Sequence, residues 1–147
     1  MNISKLARAL RRLAAAVLLL CGAGAAWAQA APAPACHDLL AALDSKPPYV
    51  EFLQCSYRAQ AQGKPLVARY RLDGARAGEA QAFLRQRFGV GDLRFACCGW
   101  EARQQHWRDP RTGLDYMIDF GSEGTLLKRW DRIDSFYIQI QQFTEEI

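Results

Sequence analysis

Phe136-Tyr137-Ile138-Gln139-Ile140-Gln141 changes character at every step, with Phe136, Ile138 and Ile140 facing one way and Tyr137, Gln139 and Gln141 the other. A period of two is what a β-strand shows when one face is buried and the other is wet. Leu66 to Leu72 has the same rhythm, with Leu66, Ala68, Tyr70 and Leu72 on one face. Between these two strands lies the clearest helix of the chain. Asp73-Gly74 opens it, and Ala77, Ala80, Phe83, Leu84 and Phe88 make one apolar stripe. Gly89 sits where a C-terminal glycine cap belongs. Glu79 near the start and Arg85 and Arg87 near the end complement the helix dipole. The stripe reads as core packing.

Further elements extend outward from these. Cys36 to Leu43 spaces Leu39, Leu40 and Leu43 as a short helix does, and Lys46-Pro47-Pro48 ends it. Tyr49 to Arg58 reads as a strand, and Gln62-Gly63-Lys64-Pro65 as the turn that follows. Leu93 to Cys98 is a third strand, after which Gly99-Trp100 bends the chain before it runs on to about Trp107. Asp109-Pro110-Arg111-Thr112-Gly113 is a turn signal, and Leu114 to Phe120 returns as a strand, so this pair reads as a hairpin. Ser122 to Ile133 fits either a short helix through Leu126-Leu127 and Trp130 or a structured loop. Short connections join every strand pair. The expected fold class is α+β: an antiparallel sheet packed against one longer and one short helix and stabilised by disulfides.

The beginning of the chain reads differently. Lys5, Arg8, Arg11 and Arg12 form a basic head with no acid, Leu13 to Leu20 is an apolar run, and Ala26-Trp27-Ala28 closes the segment. That is the pattern of a secretory signal peptide over 1–28, with cleavage after Ala28. The apolar run is short for a membrane span. Cys21 raises the alternative of an acylated lipoprotein, but Leu20 occupies the place where such signals carry a small residue. Residues 29–35, an Ala/Pro tract, read as a flexible leader, and 36–147 as a single α+β domain.

The whole chain has 19 basic and 15 acidic residues, a formal charge of +4. All of that excess sits in the four basic residues of the leader, and in residues 29–147 basic and acidic side chains balance. A neutral exported domain is a poor nucleic-acid binder, so none is expected as a partner. No membrane span is expected after cleavage. With 147 residues, 50% of them hydrophobic, the chain has enough apolar material for one cored domain. This composition excludes a disordered tail, a collagen-like repeat and a multi-span membrane protein.

Cys36, Cys55, Cys97 and Cys98 remain after the leader. Four cysteines in a short exported chain imply two disulfides. A bond between neighbours closes a strained eight-membered ring, and adjacent side chains on a strand point to opposite faces. These considerations favour Cys36 and Cys55 each joining one member of the Cys97-Cys98 pair. The competing pattern joins Cys36 to Cys55 through a short helix, a turn and a returning strand. A metal site at Cys36-His37 and Cys97-Cys98 lacks the C-x-x-C spacing, and no cofactor is expected.

The segment Cys97-Cys98-Gly99-Trp100-Glu101 carries a resemblance. With Cys36, Leu39-Leu40, Lys46-Pro47, Phe52, Cys55, Ala68, Tyr70, Gly74 and Phe95 before it, it resembles a family of small exported bacterial proteins, the domain-of-unknown-function family 4952. Ser122-Glu123, Thr125-Leu126, Trp130, Phe136-Tyr137 and Glu145-Glu146-Ile147 extend the likeness. Gly124 departs from it, standing where the family pattern leads us to expect an acidic residue. The resemblance implies one exported domain and assigns no activity.

The chain has no P-loop, G-x-G-x-x-G, H-E-x-x-H or G-x-S-x-G motif. His37 and His106 are its two histidines. Asp38 suits the helix N-terminus better than an acid–base pair with His37. Asp115, Asp119 and Glu123 read as a solvated face. On one strand Asp115 and Asp119 would stand about 13 Å apart, more than the roughly 9.5 Å that a glycosidase carboxylate pair tolerates. The sequence therefore points to a non-enzymatic protein-binding module, inhibitor- or immunity-like, acting on an exported protein. Trp100, His106 and Trp107 are the candidate partner surface. The alternatives are an envelope-acting hydrolase using His106 or His37 with a carboxylate, and an envelope structural component.

Overall fold

The alternation at 136–141 belongs to an interior strand of an antiparallel sheet. The computed structural model describes residues 32–146. The signal-peptide segment 1–28, Cys21 and the first part of the 29–35 leader lie outside the described residues. The elements in chain order are α1 (Leu39–Ala42), β1 (Glu51–Tyr57), β2 (Leu66–Asp73), a 3₁₀ turn (Gly74–Arg76), α2 (Ala77–Phe88), β3 (Arg94–Ala96), β4 (Gly99–Glu101), β5 (Gln105–Arg108), β6 (Asp115–Ser122), a second 3₁₀ turn (Trp130–Arg132) and β7 (Ser135–Gln142). The seven strands run in the order β1-β2-β7-β6-β4-β3, with β5 also paired to β6. Every pairing is antiparallel. This is the α+β architecture the sequence implies, with one longer and one short helix.

The register explains the burial. β7 pairs along its whole length with β2 and over most of it with β6. Phe136, Ile138 and Ile140 thus share one face with Leu66, Ala68, Tyr70 and Leu72 of β2 and with Tyr116, Ile118 and Phe120 of β6. These side chains form one core with Ala77, Ala80, Leu84 and Phe88 of α2 and with Leu39, Leu40 and Leu43 from α1 and its C-cap. Asp73 caps the turn that leads into α2, accepting from the Ala75 N–H at 2.8 Å. Gly89 ends α2 in the left-handed conformation, φ +79°, and its N–H reaches Arg85 O.

Tyr70 joins the short helix to the sheet. Its buried hydroxyl accepts from the Leu40 N–H at 2.9 Å and donates to Asp38 Oδ1 at 3.0 Å. Asp38 also caps α1 by accepting from Ala41 N–H, and Lys46 Nζ lies 2.6 Å from its other oxygen. Burial works to raise the Asp38 pKa, but the hydrogen bonds from Lys46, Ala41 and Tyr70 outweigh it and hold the carboxyl below its ordinary value. Burial also pushes the Tyr70 hydroxyl well up, so it stays a donor.

One expectation changes and one open alternative is resolved. The run from Gly99 to Trp107 is two strands, β4 and β5, both on the same edge of β6. The Ala102 N–H bonds Phe120 O at 2.8 Å between them. Within Ser122 to Ile133, Ser122 ends β6 and a loop follows that closes on the second 3₁₀ turn, which is the loop alternative and not a helix through Leu126-Leu127.

The larger correction concerns the cysteines. Cys36 bonds Cys55, with Cα atoms 5.4 Å apart, while Cys97 and Cys98 are free. Pairing Cys36 and Cys55 with Cys97 and Cys98 is excluded by the sheet order. Cys55 lies on β1 at one edge, and the two neighbours lie between β3 and β4 at the other. Four to five strand spacings of about 4.8 Å put them roughly 20 Å apart, far beyond the span of a disulfide.

Two outcomes follow. Tyr70→Phe leaves the buried Leu40 N–H without its acceptor and removes one of the three donors to Asp38, so it is expected to cost about 1–3 kcal/mol in urea unfolding. The Asp38 contribution is full above the ordinary aspartate range and is lost as pH falls through the lowered value. The Tyr70→Phe penalty should therefore shrink in acid, and a penalty independent of pH would contradict the Asp38 link. Reducing Cys36–Cys55, which closes a loop of 19 residues, should lower stability by about 3 kcal/mol, with a matching loss from Cys36→Ala/Cys55→Ala.

Candidate functional site: an open sheet face and its cleft

The strands that bury one face present the other to solvent, and the register sorts that face into rows. Arg71 of β2 faces Tyr137 of β7, which faces Gly121 of β6, which faces Glu101 of β4. In the next row Arg69 faces Gln139, and Gln139 faces Asp119. Beyond it Gln141 faces Met117, and Met117 faces His106 of β5. Charges of both signs are thus interspersed on the face: Arg71 is paired with Glu51 of β1 at 2.7 Å, while Arg69 stands across Gln139 from Asp119. Neighbouring side chains on such a face stand within contact distance across the strands.

A cleft of about 490 Å³ opens on this face. Arg69, Glu101, Asp119, Tyr137 and Gln139 line it, and Cys97, Cys98 and Trp100 of the β3–β4 hairpin form part of its wall. Gly121 makes the wall possible. A Cβ there would lie 2.6 Å from the Trp100 carbonyl, so any side chain would push β4 away. Ser122 Oγ accepts from the Trp100 N–H at 3.0 Å, and the Trp100 indole N–H donates to Leu127 O at 2.8 Å. The hairpin is therefore tied to the loop that follows β6.

Asp119 is a half-buried carboxylate of the cleft. Burial raises its pKa above the ordinary value. Hydrogen bonds from Gln104, Gln141 and Gln139 oppose the rise, and the nearby Glu101 charge adds to it. Gln104 Nε2 donates to Asp119 Oδ1 at 2.8 Å. Tyr137 is held above its ordinary value by a hydrogen bond to Glu123, with some burial and the Glu123 charge adding to it.

The residues singled out from the sequence are distributed unevenly. His37 is exposed with Nδ1 3.1 Å from Ala35 O, and Asp38 is committed to the α1 N-terminus. His106 Nε2 stands 3.0 Å from Asp115 Oδ1, and Arg108 lies 3.5 Å from the other oxygen. Asp115 and Asp119 share the open face, but Asp115 is occupied by an ion-pair cluster while Asp119 lies in the cleft. Glu123 reaches Tyr137. Trp107 and His106 are neighbours on one strand and point to opposite faces. Trp107 turns to the helix side, edge-on to Phe88 with centroids 5.0 Å apart, beneath the Arg87 guanidinium and against Tyr116. Trp100 packs edge-on to Phe95. The three candidate surface residues do not form one patch.

Arg69, Glu101 and Gln139 were not singled out from the sequence. Strand parity marks Gln139 as outward-facing, but only the cross-strand register brings it beside Arg69 and Asp119. Leu126 and Leu127, large apolar side chains exposed on the loop after β6, were also missed as surface features. Among the described residues, no group of three or more His, Cys, Asp or Glu side chains is placed to hold a metal ion.

The molecule belongs to the class of small α+β domains with a helix-covered sheet face and a polar open one. Residues 26–100 match the family described as a domain of unknown function, DUF4952, and the chain belongs to that family. The match takes in the disulfide, β1, β2, α2 and the hairpin as far as Trp100. β5 lies beyond it, as do β6 and β7, which bring Asp119, Tyr137 and Gln139 to the cleft. No curated protein and no solved structure matches the chain.

A carboxyl raised by burial has a defined titration. The side-chain carboxyl carbon of Asp119, followed by NMR, is expected to titrate with a midpoint above 3.8, and Glu101→Gln should lower that midpoint. The group then favours the folded state in its protonated form, a contribution lost as pH rises through its midpoint. A midpoint at or below the ordinary value would mean that the cleft is fully hydrated.

Proposed function

We propose that this chain is an extracytoplasmic protein-binding module, inhibitor- or immunity-like, that meets its partner with the open sheet face. The observation that carries the reading is the polar cleft on that face, where Arg69 stands across Gln139 from Asp119, with Glu101 beside them. Opposed charges on a stiff sheet impose orientation on a docking protein and speed its encounter. The disulfide Cys36–Cys55 suits an oxidising compartment. The basic-then-apolar segment ending at Ala26-Trp27-Ala28 supports export. Among the described residues no helix is long and apolar enough to cross a membrane.

A hydrolase reading has one observation in its favour, the contact of His106 with Asp115. Arg108 already neutralises that carboxylate, and His106 is half-exposed on β5 rather than in the cleft. Both features suit an ion-pair cluster better than a general base.

The two readings separate in one experiment. A partner captured from envelope extracts by the wild-type domain should bind Arg69→Glu or Asp119→Lys at least tenfold more weakly, while His106→Ala binds like wild type. Equal capture by the charge-reversal variants would reject this face as the docking surface. Loss of an envelope-hydrolysing activity in His106→Ala alone would replace the binding reading with the hydrolase.

A further inference from the structure

Cys97 and Cys98 were expected to point to opposite faces of a strand, and they do not. Cys97 has φ +49°, in the left-handed region that residues with a Cβ avoid. The Cys98 N–H bonds Ala96 O at 2.6 Å, closing a tight three-residue turn centred on Cys97, of the rare positive-φ kind. The turn brings both side chains to one side, with the sulfurs 2.9 Å apart and the Cys98 S–H donating to Cys97. Both cysteines are exposed, and the remaining two among the described residues are already bonded to each other. The turn is anchored on its C-terminal side, since Cys98 O accepts from the Thr125 N–H at 2.6 Å and the Trp100 N–H donates to Ser122 Oγ. Backbone strain held in place around reactive side chains is a recurrent mark of functional sites.

We propose that Cys97 and Cys98 form a redox-active vicinal dithiol on the cleft wall, which exchanges with disulfide substrates and closes reversibly into an eight-membered ring. The proposal is independent of the protein-binding reading. The Cys98 S–H is engaged in its hydrogen bond to the Cys97 sulfur, and that bond holds the Cys98 thiol above its ordinary value. Cys97 is therefore the attacking sulfur.

In the first step the Cys97 thiolate attacks one sulfur of a disulfide R–S–S–R. The old S–S bond breaks, Cys97–S–S–R forms, and R–S⁻ leaves and takes up a proton. In the second step Cys98 gives up its proton and attacks Cys97 Sγ, expelling the second R–S⁻. Two protein thiols are oxidised to one disulfide, and one substrate disulfide is reduced to two thiols. Neighbouring Cα atoms are about 3.8 Å apart, less than the roughly 4.4 Å minimum usual for a disulfide. The ring is consequently strained and easily reopened, which suits exchange rather than permanent bracing.

Tryptic cleavage after Arg94 and Arg103 puts both cysteines on one peptide, Phe95 to Arg103. The folded protein, with Cys36–Cys55 intact, is equilibrated in glutathione buffers of stepped oxidised-to-reduced ratio. It is then alkylated, digested without reduction and analysed by mass spectrometry. The expected result is a switch of this peptide from doubly alkylated to an unalkylated form lighter by two hydrogens, reversed by reduced glutathione at ratios that leave Cys36–Cys55 bonded. Cys98→Ser should stop at a single glutathione adduct on Cys97, and Cys97→Ser should form its adduct at least tenfold more slowly. A peptide that stays doubly alkylated, that carries glutathione without closing, or that is cross-linked to Cys36 or Cys55 overturns the proposal. Equal adduct rates in the two serine variants overturn the assignment of Cys97 as the attacking sulfur. The wild-type series decides ring closure even where a variant fails to fold.

Discussion

β7 lies between β2 and β6, and everything else in the domain follows from the parity this imposes. Its register with β2 runs unbroken from Leu66↔Gln142 to Asp73↔Ser135, and its register with β6 from Tyr116↔Gln142 to Ser122↔Phe136. A slip of one residue on either side would carry Phe136, Ile138 and Ile140 out to solvent and bury two glutamines. The core permits only this alignment. The same alignment puts Arg69, Gln139 and Asp119 in one row. The polar face is thus a by-product of the hydrophobic one, since burying one parity commits the other to a fixed pattern of charge.

The short helix is secured by different means. Four residues cannot hold a helix by their own hydrogen bonds. α1 is held from outside, by Leu39 and Leu40 in the core, by the Tyr70 hydroxyl at the Leu40 N–H, and by Cys36–Cys55 tying the segment before it to β1. The disulfide therefore sits at the β1 edge, where an amphipathic element too short to be stable alone must be kept. The opposite edge has no covalent tie among the described residues. It relies on Gly121 admitting β4 against β6 and on the Ser122 and Thr125 bonds to the hairpin.

Most of the fold was legible because most of it obeys period two or period 3.6. The strands at 66–72 and 136–141 and the stripe Ala77–Phe88 carry their geometry in the spacing of apolar residues. The reading failed where spacing is uninformative. Residues 99–107 look continuous, and only the backbone approach permitted by Gly121 shows that they split into β4 and β5. Cys97 and Cys98 look like strand residues of opposite facing, because nothing in their identity announces a positive φ at a non-glycine. The disulfide pairing depended on strand order, and order is a long-range property that no local pattern encodes. The cleft shares this origin. Gln139 was visible as an outward residue, but its neighbours Arg69 and Asp119 come from strands far away in sequence. Trp107 misled for the opposite reason, since adjacency to His106 in sequence means opposite faces on a strand.

The two ends of the sheet use cysteine in contrasting ways, and geometry accounts for the contrast. At the β1 edge two cysteines 19 residues apart meet at an ordinary Cα separation. A bond there restricts the unfolded chain at little cost to the folded one, which is the condition for a lasting brace. At the hairpin the two cysteines are adjacent. Their bond would restrict almost nothing in the unfolded chain and would have to bend the turn to form. A cross-link that contributes so little to stability is retained, if at all, for its chemistry. The turn at Cys97, unfavourable for a residue with a side chain, closes the β3–β4 hairpin between Ala96 and Gly99 and in doing so brings the two sulfurs together on the wall of the cleft.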